Sequence, residues 1–171
     1  CSLRQPGARK QQADAVPAPT APPRPPALDD YCLAMLLFEP TLYWKTLDLQ
    51  IGPDDFPGTE NRQLFAAFQA HMQAYSVFDE AALRATLDPA LQSHLDRLLD
   101  LGKKPPVTNG ESLENALTVA VLRGRKLRLN AEIAQLTHLL REARQEDDRD
   151  AIATLTTRVH ALSAEIGRIG R

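Results

Sequence analysis

The sequence predicts an all-α protein: a small helical bundle followed by a long antiparallel C-terminal helical hairpin, with a disordered Pro-rich linker at the N-terminus. Three observations carry this expectation. Hydrophobic residues make up 43% of the 171-residue chain, yet aromatics supply only 5%, and the apolar set is dominated by Leu and Ala, which favour helix over strand. Seven of the 13 prolines lie within residues 1–27. From Glu111 to Ala143 there is no proline at all, so a single long helix is open to that stretch.

Residues 1–27 end in Ala21-Pro22-Pro23-Arg24-Pro25-Pro26. Proline fixes φ and donates no hydrogen bond, so this block reads as an extended, semi-rigid interdomain linker. A helical bundle is expected over residues 28–110. Its first helix starts at Leu28, with Asp29 and Asp30 suited to a helix N-terminus. Leu28, Tyr31, Met35 and Phe38 share one face, widened by Leu33, Leu36 and Leu37, and Glu39-Pro40 stops the helix. A second helix is expected over Thr41–Leu49, with Leu42, Tyr43, Trp44 and Leu47 as its apolar set. Gly52 to Gly58 is turn chemistry, in which Phe56 anchors the loop on the core. Thr59 is placed as the cap of a helix running to Tyr75, with Leu64, Phe65, Phe68 and Met72 inward. Asp79 caps a short helix through Leu87. Asp88-Pro89 opens the next, whose stripe is Leu91, Leu95, Leu98 and Leu99. Gly102–Gly110 reads as a loop.

Residues 111–171 differ in pattern. Leu122, Leu129, Ile133, Leu136 and Leu140 fall at heptad-like spacing. After the polar stretch Gln145–Asp150, Ile152, Leu155, Val159, Leu162, Ile166 and Ile169 alternate steps of three and four. Two helices with narrow apolar seams, joined by a short polar break, predict an antiparallel hairpin. Such a hairpin suits docking on a partner.

The net charge of −2 argues against a nucleic-acid coat protein, which carries a basic excess. Cys1 and Cys32 form no CxxC pair, so neither a zinc site nor a disulfide framework is expected, and Cys32 reads as a buried free thiol. No run of 18 apolar residues suggests a membrane span. His71, His94, His138 and His160 show no metal-ligand spacing and are expected to be solvated. The acidic pairs Asp29-Asp30, Asp54-Asp55 and Asp147-Asp148 are assigned to helix starts and turns, because adjacent helical residues do not face each other. No nucleotide-binding or nucleophile motif is present. The expectation is a region with no catalytic residues, cofactor or metal. The start at Cys1 reads as a piece of a longer chain.

Several segments together resemble one family. Asp30-Tyr31-Cys32-Leu33-Ala34-Met35-Leu36-Leu37-Phe38-Glu39-Pro40 is similar to the first helix of the C-terminal domain of bacterial DnaG-type DNA primase. Asp55-Phe56 followed by Thr59-Glu60-Asn61-Arg62-Gln63-Leu64-Phe65 resembles its "DF … ENR-x-LF" segment, and Leu136–Ile169 its terminal hairpin. The resemblance covers about residues 28–171. It implies a bundle-plus-hairpin module that docks primase on the N-terminal collar of the hexameric replicative helicase, in the cytoplasm at the replication fork. The parent protein would synthesise RNA primers, and nucleic acid would be contacted only through its other domains; no membrane partner is expected. The same motif occurs in the N-terminal domain of the replicative helicase itself, so an oligomerisation module of that enzyme is the alternative.

Seam residues are needed for folding, so the expected helicase contacts are Arg144, Asp147, Asp148, Arg149, Arg158 and His160 on and beside the acidic turn. A second surface is the cation cluster Arg123, Arg125, Lys126 and Arg128, whose Arg side chains suit carboxylate or phosphate. The resemblance implies the acidic tail of single-stranded DNA-binding protein as its ligand.

Overall fold

A computed structural model describes residues 26–104 and 112–169. Nearly all of the predicted linker, and most of the loop predicted for Gly102–Gly110, lie outside the described residues. Within them the regular structure is entirely helical: α1 Leu28–Phe38, α2 Thr41–Lys45, α3 Thr59–Tyr75, α4 Glu80–Ala85, α5 Pro89–Gly102, α6 Leu113–Gln145 and α7 Arg149–Ile169. Single 3₁₀ turns occupy Leu47–Leu49 and Pro53–Asp55. The predicted fold class is the observed one. No helix of the described residues is long and apolar enough to cross a membrane.

α1 is the centre of the bundle. Cys32 through Leu37 are all buried, and a helix apolar on every side must be surrounded. α2, α3, α5 and α6 supply the walls. Two parts of the sequence expectation need correction here. Phe38 is 49% exposed, because the helix ends there at Glu39 (φ −125°). The expected helix Thr41–Leu49 is broken at Thr46, which leaves the α region (φ −108°, ψ 23°) and whose hydroxyl joins its amide on the Leu42 carbonyl, at 2.7 and 2.9 Å. The hydroxyl bond competes with continued helix. Leu42 and Tyr43 turn inward, but Trp44 and Leu47 remain substantially exposed.

Phe56 is buried and stacks on Phe65 with ring centroids 4.6 Å apart, the anchoring role its sequence context predicted. Leu64, Phe65, Phe68 and Met72 of α3 are buried as expected. Thr59 is not the cap: it is the first helical residue, and Gly58 stands at the N-cap with no side-chain bond. Asp79 and Asp88 do cap α4 and α5, accepting from the Ala82 and Leu91 amides at 3.1 and 2.9 Å. Gly102, expected to open a loop, instead lies in the last turn of α5 against α1.

α6 belongs to two bodies. Leu117 and Val121 close the core of the bundle, whereas Leu129 and Ala143 are buried farther along, where α7 packs antiparallel on α6. Its 33 residues span about 50 Å at 1.5 Å per residue. On α7, Leu162 is buried, and Ile152, Leu155, Val159, Ile166 and Ile169 are partly covered. Two helices alone leave one side of each apolar stripe open, so the predicted seam is present but only half shielded.

Candidate functional site

The hairpin turn is built by backbone chemistry. Asp147 adopts a left-handed conformation (φ 51°), and the Asp148 amide donates back to the Ala143 carbonyl at 3.0 Å. This pattern closes a helix C-terminus. The Asp148 carboxylate then caps α7 by accepting from the Ala151 amide at 3.0 Å. Arg144, Asp147, Asp148 and Arg149 are thereby gathered at one exposed tip of mixed charge. Arg158 and His160 do not join them: nine residues of helix from Arg149 place Arg158 about 13 Å down α7. Arg158 is also engaged, with its guanidinium on Glu132 of α6 at 2.8 and 3.2 Å, an exposed brace across the two helices. His160 is exposed.

The cation cluster divides. The Arg125 guanidinium meets both Asp55 oxygens at 2.7 Å and the carbonyls of Leu49 and Gln50 at 2.8 and 3.2 Å. Hydrogen bonding to Asp55 raises its pKa further. Arg128 donates to the Asp54 carbonyl and lies 3.6 Å from Asp55. These two cations are therefore directed into the bundle. Arg123 is exposed and Lys126 partly so, which leaves them as the members of the cluster best placed to meet a ligand.

Two of the four histidines correct the expectation of solvation. His71 is buried; its Nε2 accepts from the Asp79 amide at 3.0 Å, and its ring packs on Tyr75 and Phe78. His94 is buried in a relay across three helices. The Asn61 amide donates to Asp29 and Asp30, each at 2.8 Å. With its nitrogen so committed, the Asn61 oxygen accepts from His94 Nε2 at 2.6 Å. His94 Nδ1 then accepts from Arg97 at 2.9 Å. This order fixes a neutral imidazole, and burial and the Arg97 charge both lower the His94 pKa. The relay lines a cleft of about 620 Å³ that also includes Gly58 and Glu60. Every buried side-chain polar atom of the described residues has a partner, so the network reads as a structural tie between α1, α3 and α5. Among the described residues no group of three potential metal ligands comes together.

A second depression of about 290 Å³ is apolar, walled by Leu28, Cys32, Phe56, Val121, Gly124 and Leu127. It lies where the bundle meets α6. The Cys32 thiol, one of its lining groups, is pushed up to about 12 by burial, which keeps it protonated and unreactive.

Sequence reasoning missed three positions that organise these surfaces: Asn61, Asp55 and Glu132. In the sequence Asn61 stands out only as part of a family motif, and Asp55 only as part of that motif and of an acidic turn. Their partners lie tens of residues away, beyond the reach of local spacing.

The chain matches no protein-family model, and no curated protein or solved structure matches it.

Proposed function

We propose that this chain is the helicase-interaction region of a bacterial DNA primase, docking its parent protein on the hexameric replicative helicase at the replication fork. The observation that carries the reading is the hairpin: α6 leaves the bundle as one continuous helix, and α7 folds back on it with Leu162 as its buried residue. An exposed tip and a half-covered seam offer a partner both charge and apolar area. The resemblance of the Asp55-Phe56 and Thr59–Phe65 segments to the primase family supplies the identity of that partner. The reading assigns no reaction and no cofactor to this region; primer synthesis belongs to the parent chain. Arg123 and Lys126 are its contacts for the acidic tail of single-stranded DNA-binding protein.

A second reading, the N-terminal domain of the replicative helicase, is favoured by the same half-covered seam, which another copy of the chain could cover. Sedimentation of the full chain with the hexameric helicase separates the two. Co-sedimentation that is lost in a chain ending at Gln145 supports the primase reading. Self-association without the helicase, and no complex with it, supports the second.

A further inference from the structure

We infer that the Asp55–Arg125 ion pair is a positioning clamp that sets the direction in which the hairpin leaves the bundle, with Gly124 as the pivot beside it. The clamp acts within this chain, whatever the hairpin binds.

α6 is the shared member of both bodies, so its direction decides where the tip stands. From Gly124 to its end at Gln145 the helix runs about 32 Å, and a bend of about 10° at Gly124 would carry the tip about 6 Å. Gly124 is where such a bend is easiest. Glycine is the poorest helix former after proline, and a Cβ added here would meet only the end of Leu28, at 3.8 Å. Packing therefore does not demand glycine at this position, yet the helix is weakest there.

The next residue is tied to the bundle by hydrogen bonds. Arg125 offers its planar guanidinium to four acceptors on the 3₁₀ turns and the loop between them: both Asp55 oxygens and the Leu49 and Gln50 carbonyls. Gln50 itself is left-handed, at φ 47°, so the loop is presented in a specific shape. Asp55 is in turn fixed from behind, accepting from the Gly52 amide at 3.1 Å. The Asp55 side chain is 9% exposed and that of Arg125 22%. Arg128, one turn on, adds a second bond to the Asp54 carbonyl. From the other side of the hairpin, the charge of Glu165 on α7 also acts on Arg125. Two parallel N–H···O bonds fix orientation as well as distance, which an apolar contact at the same place would not.

The test is a pulsed electron-spin distance measurement on the full chain. Cys1→Ser and Cys32→Ala remove the native thiols, and Gln73→Cys on α3 and Thr154→Cys on α7 carry the labels. The parent should give one narrow distance. Asp55→Ala should broaden or displace it by several ångströms, on the order of the 6 Å lever motion above. Adding Gly124→Ala to Asp55→Ala should narrow it again by stiffening the helix. Arg125→Lys keeps the charge but loses the fork; it should broaden the distance too, and it carries the test if Asp55→Ala melts the bundle. A lower melting temperature with an unchanged distance would overturn the clamp and leave the pair a purely structural tie. Broadening that Gly124→Ala fails to reverse would remove the pivot.

Discussion

Gly102 and Gly124 both sit inside helices, and they answer opposite packing demands. A Cβ on Gly102 would fall 2.7 Å from the Ala34 carbonyl oxygen and 2.9 Å from Phe38 Cβ, so α5 and α1 approach as closely as glycine permits. Gly102→Ala must push backbone apart and should cost about 1–3 kcal/mol. Gly124→Ala makes only an ordinary contact with the end of Leu28, at 3.8 Å, and should gain about 0.5–1 kcal/mol from helix propensity. Thermal melts of the two variants should therefore shift in opposite directions. His94 gives the residue scale a pH signature. Its pKa is lowered in the fold by burial and by Arg97. As pH falls below the ordinary value of about 6.5, the unfolded chain takes up a proton that the folded chain refuses. Stability from this site is unaffected at higher pH and declines on acidification until folded His94 is itself protonated. The melting temperature should fall between pH 7.5 and 5.5, and His94→Gln should flatten that slope; equal slopes in both proteins would sink the assignment.

At the scale of the element, the hairpin turn carries strain and its compensation side by side. Asp147 is a non-glycine residue at positive φ, which disfavours any side chain with a Cβ. Asp147→Gly should stabilise the hairpin by about 1 kcal/mol. Asp148 supplies the α7 cap, and Asp148→Ala should cost about 1 kcal/mol. Both effects are readable by urea titration followed through helical circular dichroism. The same paired acids looked alike in the sequence. One tolerates the left-handed turn and the other caps the next helix, and only the backbone separates their roles. The second predicted helix shows the reverse case: its apolar periodicity is legible through Leu49, but α2 ends where Thr46 leaves the α region (φ −108°, ψ 23°) with both its amide and its hydroxyl on the Leu42 carbonyl.

At the scale of the whole molecule, burial is unequal. α1 contributes six consecutive buried residues, Cys32 to Leu37, whereas Leu162 is the buried residue of α7. Local opening follows the burial that resists it. Amide hydrogen exchange should therefore be fastest along α7 and the distal half of α6, and slowest along α1. Uniform exchange across the chain would contradict this division. A complex with the helicase should slow exchange in the hairpin first, with protection strongest around Arg144–Arg149 if the tip is the docking surface.

The helical class, the end of α1 ahead of Pro40, the Asp79 and Asp88 caps, the anchoring of Phe56 and the hairpin with its two seams were all legible along the chain. Each of these depends on residues within a few positions of one another, where periodicity and capping act. Tertiary structure alone decided that α6 is shared by bundle and hairpin, that Arg125 and Arg128 turn inward to the Asp54-Asp55 turn, and that His94, Asn61 and Asp30 form one buried relay. Arg125 and Asp55 are 70 residues apart, and His94 and Asn61 are 33. A charged or polar side chain reads as solvated until the fold brings its partner, because its environment is set by chain segments that no local pattern links.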